Sequence, residues 1–187
     1  TDWRTRGYLP HRDEARLIQH VIFNLADAFA TKGAAPSDPI EKLAWAEAEL
    51  DFGHGERLLA NAENAAIVEQ CILKGHGAQY ALAAWCVMPN HVHVLVEQFS
   101  GYRLSHLVQT WKSVTAHLIN KRERRTGAVW QREYFDRFMR DEAQFVHALT
   151  YVESNPVAAG LVDRPAAWRF SSAWEGRDLH RAGEGAG

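Results

Sequence analysis

The chain has 187 residues, 47% of them hydrophobic, with seven Trp and a net charge of −2. That is enough apolar material for one compact domain and excludes general disorder. No apolar run approaches the roughly 18 residues that span a bilayer.

Thr1-Asp2-Trp3-Arg4 carries no secretory apolar core, and Cys71 and Cys86 both lie in apolar stretches. Buried thiols and a reducing cytoplasm are the expectation. The small net charge hides a polarised distribution. Gly101 to Arg140 holds nine basic and only three acidic residues, leaving the rest of the chain acidic. Such a segment can present a basic face to phosphates while the remainder keeps the chain soluble.

In chain order, residues 17–25 are rich in branched and aromatic side chains and read as a buried strand. Residues 31–39 form a Pro- and Ser-containing loop, and residues 40–50 an Ala/Glu/Leu-rich helix. Asn61 is placed to cap a helix running to about Lys74, which Gly75-His-Gly77 stops. Residues 79–88 and 91–97 read as two strands joined tightly at Pro89-Asn90. From Tyr102 to about Arg125, Leu104, Leu107, Val108, Trp111, Val114 and Leu118 recur at spacings of three and four, an amphipathic helix ended by Thr126-Gly127. A strand over 133–139 and a helix over 141–154 follow, with Pro156 near the end. The order predicts an α+β sandwich, an antiparallel sheet with helices packed on it. Residues 1–175 are read as one domain with a peripheral helical insertion at 38–52, and the Gly-rich segment 176–187 as a frayed tail.

His91-Val92-His93 lies on a predicted strand, where residues two apart share a face. Two imidazoles therefore project together from an apolar stretch, where burying them without partners is costly. Alone, the pair fits either a cation site or ordinary strand histidines; the other eight histidines occur singly and read as structural or exposed. Tyr151 and Asn155 are four apart, on one face of the last predicted helix. A core tyrosine and a helix-end asparagine remain open readings of that pair.

Taken together the motifs are more specific. Met88-Pro-Asn-His-Val-His-Val-Leu95 resembles the HUH motif of single-tyrosine transposases. The chain is most similar to their REP-associated branch through Arg6-Gly-Tyr-Leu-Pro-His11, Trp111-Lys-Ser-Val-Thr-Ala-His117, Trp130-Gln-Arg-Glu-Tyr-Phe-Asp136, Tyr151-Val-Glu-Ser-Asn-Pro156 and Trp168-Arg-Phe-Ser-Ser-Ala173. The resemblance implies a ferredoxin-like fold with His91, His93 and Asn155 as ligands of Mg²⁺ or Mn²⁺ and Tyr151 as nucleophile, ahead of Tyr134. Imidazole nitrogen suits Mn²⁺ better than Mg²⁺.

It also implies a nicking and rejoining endonuclease that forms a 5′-phosphotyrosine on single-stranded, REP-like palindromic hairpins and acts as a monomer. Arg103, Lys112, Lys121, Arg122, Arg124, Arg125, Arg132 and Arg137 are the expected phosphate contacts. Trp3, Tyr8, Trp130 and Trp168 are candidates for base stacking, each with a core role as the alternative. Two rival readings stand beside this one: a non-catalytic organiser of hairpin repeats, and a metal-dependent hydrolase with a water nucleophile.

Overall fold

The computed structural model describes residues 3–5, 10–12, 17–28, 45, 48–50 and 55–177. Among them the chain order is β1 (Trp3–Thr5), β2 (Pro10–Arg12), β3 (Ile18–Asn24), α1 (Ala62–Leu73), β4 (Tyr80–Val87), β5 (His91–Gln98), α2 (Leu104–Glu123), β6 (Phe135–Phe138) and α3 (Glu142–Ala158). β1 and β2 form a small antiparallel pair; the main sheet has the order β4-β5-β3-β6, antiparallel throughout. The expected α+β architecture is the observed one.

Alternation along β5 divides the core in two. Val92, Val94 and Val96 join Leu104, Leu107, Val108 and Trp111 of α2 and Ala65, Val68 and Ile72 of α1 in one buried cluster. Burying each of the Val, Leu and Ile side chains contributes about 1.5–3 kcal/mol. Leu95, on the other face, packs with Ala148 and Val152 of α3. The strand that carries the histidine pair is thus central in the sheet and covered on both faces.

Local signals set the helix ends. The Asn61 side chain accepts from the backbone N–H groups of Glu63 and Asn64, the cap expected for α1. α2 ends at Arg124, in the left-handed region with φ 51°, rather than at Thr126-Gly127. α3 continues through Pro156 to Ala158, four residues beyond the expected end. Pro156 cannot donate to the Val152 carbonyl, yet the helix runs on for two more residues.

Of the helix expected over 40–50, Trp45 and residues 48–50 are described and helical. They are not peripheral: Leu50 is fully buried and Trp45 packs on the larger cluster. The motif residues Arg6 to Leu9 and the tail beyond Arg177 lie outside the described residues.

The outer edge of β4 is covered by a segment that the sequence pattern did not announce. Ser171 bridges Cys86, the Val87 N–H donates to the Phe170 carbonyl and the Ser172 N–H to that of Trp85. An ion cluster anchors the segment. The buried Glu69 carboxylate of α1 accepts from Trp85 Nε1 at 3.1 Å, from Arg169 at 3.2 Å and from Arg177. The Arg177 guanidinium also lies 4.5 Å over the Trp85 ring. Arg177 is therefore part of the folded body rather than of a frayed tail.

Removing the shared carboxylate strands a largely buried guanidinium without its counter-charge. Glu69→Ala is expected to lower the unfolding free energy by about 3 kcal/mol in urea titrations. A loss below about 1 kcal/mol contradicts this account of the anchor.

Candidate metal and nucleophile site

His91 and His93 project from β5 on the face that α3 covers, and both are buried to within 1%. Their Nε2 atoms face one another at 2.9 Å. Two nitrogens on adjacent vertices of an octahedron, each about 2.1 Å from its centre, have about this separation. α3 brings Tyr151 and Asn155 to the same place one helical turn apart. The Tyr151 ring stands edge-on to His93, with centroids 5.6 Å apart. Asn155, 1% exposed, stands beside His91 with its amide oxygen buried.

Each imidazole is held from behind. His91 Nδ1 lies 2.7 Å from Asn90 Oδ1, and Asn90 Nδ2 donates to the Leu50 carbonyl at 3.0 Å. His93 Nδ1 lies 3.0 Å from Nε2 of His20, on the neighbouring strand β3. The β3–β5 register pairs Ile22 with His93 and His20 with Leu95, so His20 shares their face. Its ring is stacked 5.2 Å from that of His93 and stands 6.0 Å from that of Tyr151. Such outer partners orient imidazole ligands and fix their tautomers. The sequence reading passed over both residues, treating His20 as an isolated histidine and Asn90 as a turn residue.

Burial depresses all three imidazoles. His20 is lowered to about 4, with the Arg137 guanidinium adding to the effect. His91 is lowered to about 3 although its bond with Asn155 opposes the shift, and His93 is lowered well below its usual range. The rings are therefore neutral at pH 7, the state in which imidazole ligates a cation. Among the described residues no group of three or more His, Cys, Asp or Glu side chains is arranged to hold a metal ion. A cation here would rest on two imidazole nitrogens and the Asn155 amide, a donor set that fits Mn²⁺ better than Mg²⁺.

Among the described residues the other tyrosines stand elsewhere. Tyr134 belongs to the buried cluster under α2, and Tyr80 is buried with its hydroxyl bonded to the Ile72 carbonyl. Of the stacking candidates, Trp130 is a core residue whose Nε1 donates to Thr115, and Trp168 donates to the Val87 carbonyl; Tyr8 and the side chain of Trp3 lie outside the described residues. Both cysteines are free, and burial pushes each thiol up.

The eight predicted phosphate contacts do not form one group. Arg137 pairs across the sheet with His20, beside the site. Arg103 precedes the first residue of α2 and Lys121 lies near its end, roughly 27 Å apart at 1.5 Å per residue. Arg122 is bound by Glu63 and Glu123, and Arg125 by Glu56 at 2.6 Å. Lys112 donates to the Arg132 carbonyl at 2.8 Å, and partial burial lowers it to about 8. Arg103, Lys121, Arg124 and Arg132 are exposed.

Comparison with known proteins gives the family to which this sheet and its facing helix belong. The sequence profile of the IS200-like transposases matches residues 61–155, from the cap of α1 to Asn155. The match covers half of the chain, and the chain belongs to that family. A Haemophilus influenzae protein named as a REP-associated tyrosine transposase is 28% identical over 103 residues, covering 50% of this chain and 58% of that protein. The chain thus spans little more than half the length of this relative. The solved structure of a REP-associated tyrosine transposase bound to a REP hairpin superposes with a TM-score of 0.62 at 18% identity, over 95% of this chain and 84% of that one. At that identity the likeness establishes the shared fold.

The depressed imidazoles set an acid limit. The unfolded chain takes up histidine protons as pH falls below about 6.5, whereas folded His20 waits until about 4 and His91 until about 3. Stability present above pH 6.5 is therefore lost as pH falls, by on the order of 1 kcal/mol per pH unit for each group. In EDTA, Tm should drop between pH 6.5 and 4.5, and less steeply in His20→Gln. Parallel profiles for the two proteins would contradict this assignment.

Proposed function

We propose that this chain is a cation-dependent endonuclease and strand transferase that nicks and rejoins single-stranded DNA through a 5′-phosphotyrosine. The observation that carries the reading is the convergence of His91, His93, Tyr151 and Asn155, on two separate elements, in a member of the IS200-like family. REP-like repeat hairpins are the proposed substrate, supported by the name of the Haemophilus relative and by the hairpin bound to the structure that shares this fold.

His91 and His93 through Nε2, and Asn155 through its amide oxygen, would hold Mg²⁺ or Mn²⁺. Such an ion withdraws charge from a non-bridging phosphate oxygen, easing attack on an otherwise repellent anion. Tyr151 supplies the nucleophile. Its hydroxyl gives up its proton as the oxygen attacks phosphorus. The bond from phosphorus to the 3′ oxygen breaks, leaving the 5′ phosphate on Tyr151 and a 3′-hydroxyl that has gained a proton. Attack by a 3′-hydroxyl on that phosphotyrosine restores the tyrosine and rejoins the strand. Energy is conserved in the covalent link, so cutting and sealing need no further cofactor.

α3 packs on β4 and β5 of its own chain, which supports action in cis by a monomer. Of the expected phosphate contacts, Arg137 lies beside the histidines and Arg103, Lys121, Arg124 and Arg132 are exposed, so the DNA backbone would run along that set. Phosphate contacts of this kind supply affinity that falls with salt rather than choice of sequence.

A labelled repeat hairpin incubated with Mn²⁺ should yield a covalent protein–DNA band on a denaturing gel. Tyr151→Phe is expected to remove it, and Tyr134→Phe to leave it within about tenfold. A band that survives Tyr151→Phe refutes the nucleophile assignment. Cleavage with no covalent species would support a water nucleophile instead, and binding with no cleavage a repeat organiser.

A further inference from the structure

The hydrogen bonds behind the histidine pair run in a direction that a backbone carbonyl dictates. The Leu50 carbonyl can only accept, so Asn90 must turn its Nδ2 toward it, at 3.0 Å. Asn90 Oδ1 then faces His91 Nδ1 at 2.7 Å, and an amide oxygen also only accepts. His91 therefore carries its proton on Nδ1 and presents a bare lone pair at Nε2. That lone pair meets His93 Nε2 at 2.9 Å. Two bare lone pairs at this distance repel, so without a cation the proton between them belongs to His93 Nε2. A neutral His93 is then bare at Nδ1 and accepts from His20 Nε2–H at 3.0 Å. With one proton on each ring, every donor in this run then meets one acceptor.

A cation shared by the two Nε2 atoms demands a different one. His93 must lose its Nε2 proton, and to remain neutral it must carry one on Nδ1. The bond to His20 then reverses: His93 Nδ1–H donates, and His20 accepts at Nε2. In sum one proton leaves His93 Nε2, the proton between the two rings shifts from His20 Nε2 to His93 Nδ1, and one arrives at His20 Nδ1. Each ring begins and ends with a single proton.

We propose that His20 is a positioning residue for the cation: it alternately donates to and accepts from His93 Nδ1, allowing His93 to exchange tautomers as the ion binds, while Asn90 holds His91 permanently in the ligating tautomer. This rests on the reading of His91 and His93 as a cation site. The chemistry restricts what can occupy position 20. A leucine offers neither role, a lysine only donates, and a carboxylate adds a buried charge. A glutamine can rotate its amide to offer either its oxygen or its nitrogen, and so replaces both roles.

The test uses the full chain with Mn²⁺ or Zn²⁺ alone. Long-range ¹H–¹⁵N spectra of histidine-labelled wild type should show His93 protonated at Nε2 in EDTA and at Nδ1 after Zn²⁺ is added, with His91 protonated at Nδ1 throughout. Calorimetric titration with Mn²⁺ should show affinity weakened at least tenfold in His20→Leu and restored to within about threefold of wild type in His20→Gln. The spectra need no substitution, so a variant that folds poorly does not remove the test. His93 already protonated at Nδ1 in EDTA, or wild-type Mn²⁺ affinity in folded His20→Leu, overturns the role of His20 and leaves the cation site standing. Wild-type protein that binds neither ion overturns the cation reading, and this inference with it.

Discussion

The hydrogen-bonded run from the Leu50 carbonyl through Asn90, His91 and His93 to His20 is the constraint on which the site depends. Three imidazoles lie in a sheet face sealed by α3, where polar groups are tolerated only if each finds a partner. The run meets that demand with neutral groups alone. It begins at a fixed backbone acceptor and ends at a group able to act as donor or acceptor, so it is rigid on the His91 side and adaptable on the His93 side. A carboxylate behind either ring would raise ligand basicity but add charge to a buried site. The segment before α1 contributes the anchor through Leu50, which gives that part of the chain a role in the site beyond filling space.

The proposed nucleophile must also stand over those rings. α3 achieves this by packing on β4 and β5, with Ala148 and Val152 in the core and Tyr151 and Asn155 turned toward the histidines. Continuation of the helix through Pro156 keeps Asn155 within regular helical geometry, one turn from Tyr151. The segment around Ser171 steadies the arrangement. It covers the outer edge of β4, and Ser172 donates to Glu153 of α3 at 2.9 Å, tying the tyrosine helix to the sheet. A helix held this way can present a tyrosine repeatably to a phosphate, and orientation of reacting groups is a large part of what any such site supplies.

Much of this was legible in the sequence because it follows local periodicity. Strand alternation places His91 and His93 on one face, and helical spacing places Tyr151 beside Asn155. Asn61, the Pro89-Asn90 turn and the stripe from Leu104 to Leu118 mark most of the element boundaries. What was not legible depends on long-range register. His20 meets His93 across 73 residues of sequence, through a strand pairing that no local pattern encodes. Asn90 looked like a turn residue because its other bond goes to Leu50, 40 residues away. The charge run between Gly101 and Arg140 overstated the free basic surface for the same reason: Glu56 and Glu63, which engage Arg125 and Arg122, lie far upstream. The sequence-based helix end at Ser154 reflected the usual cost of proline, yet α3 continues through Pro156 to Ala158.

The two Nε2 atoms of His91 and His93, with the Asn155 amide, are proposed as a single cation site under Tyr151. An anomalous-scattering map from crystals of the full chain grown with Mn²⁺ tests it most directly. The account predicts one strong peak about 2.2 Å from both Nε2 atoms, with the Asn155 oxygen in its coordination sphere. A map with no peak between the imidazoles, or with manganese bound only elsewhere on the protein, would contradict it.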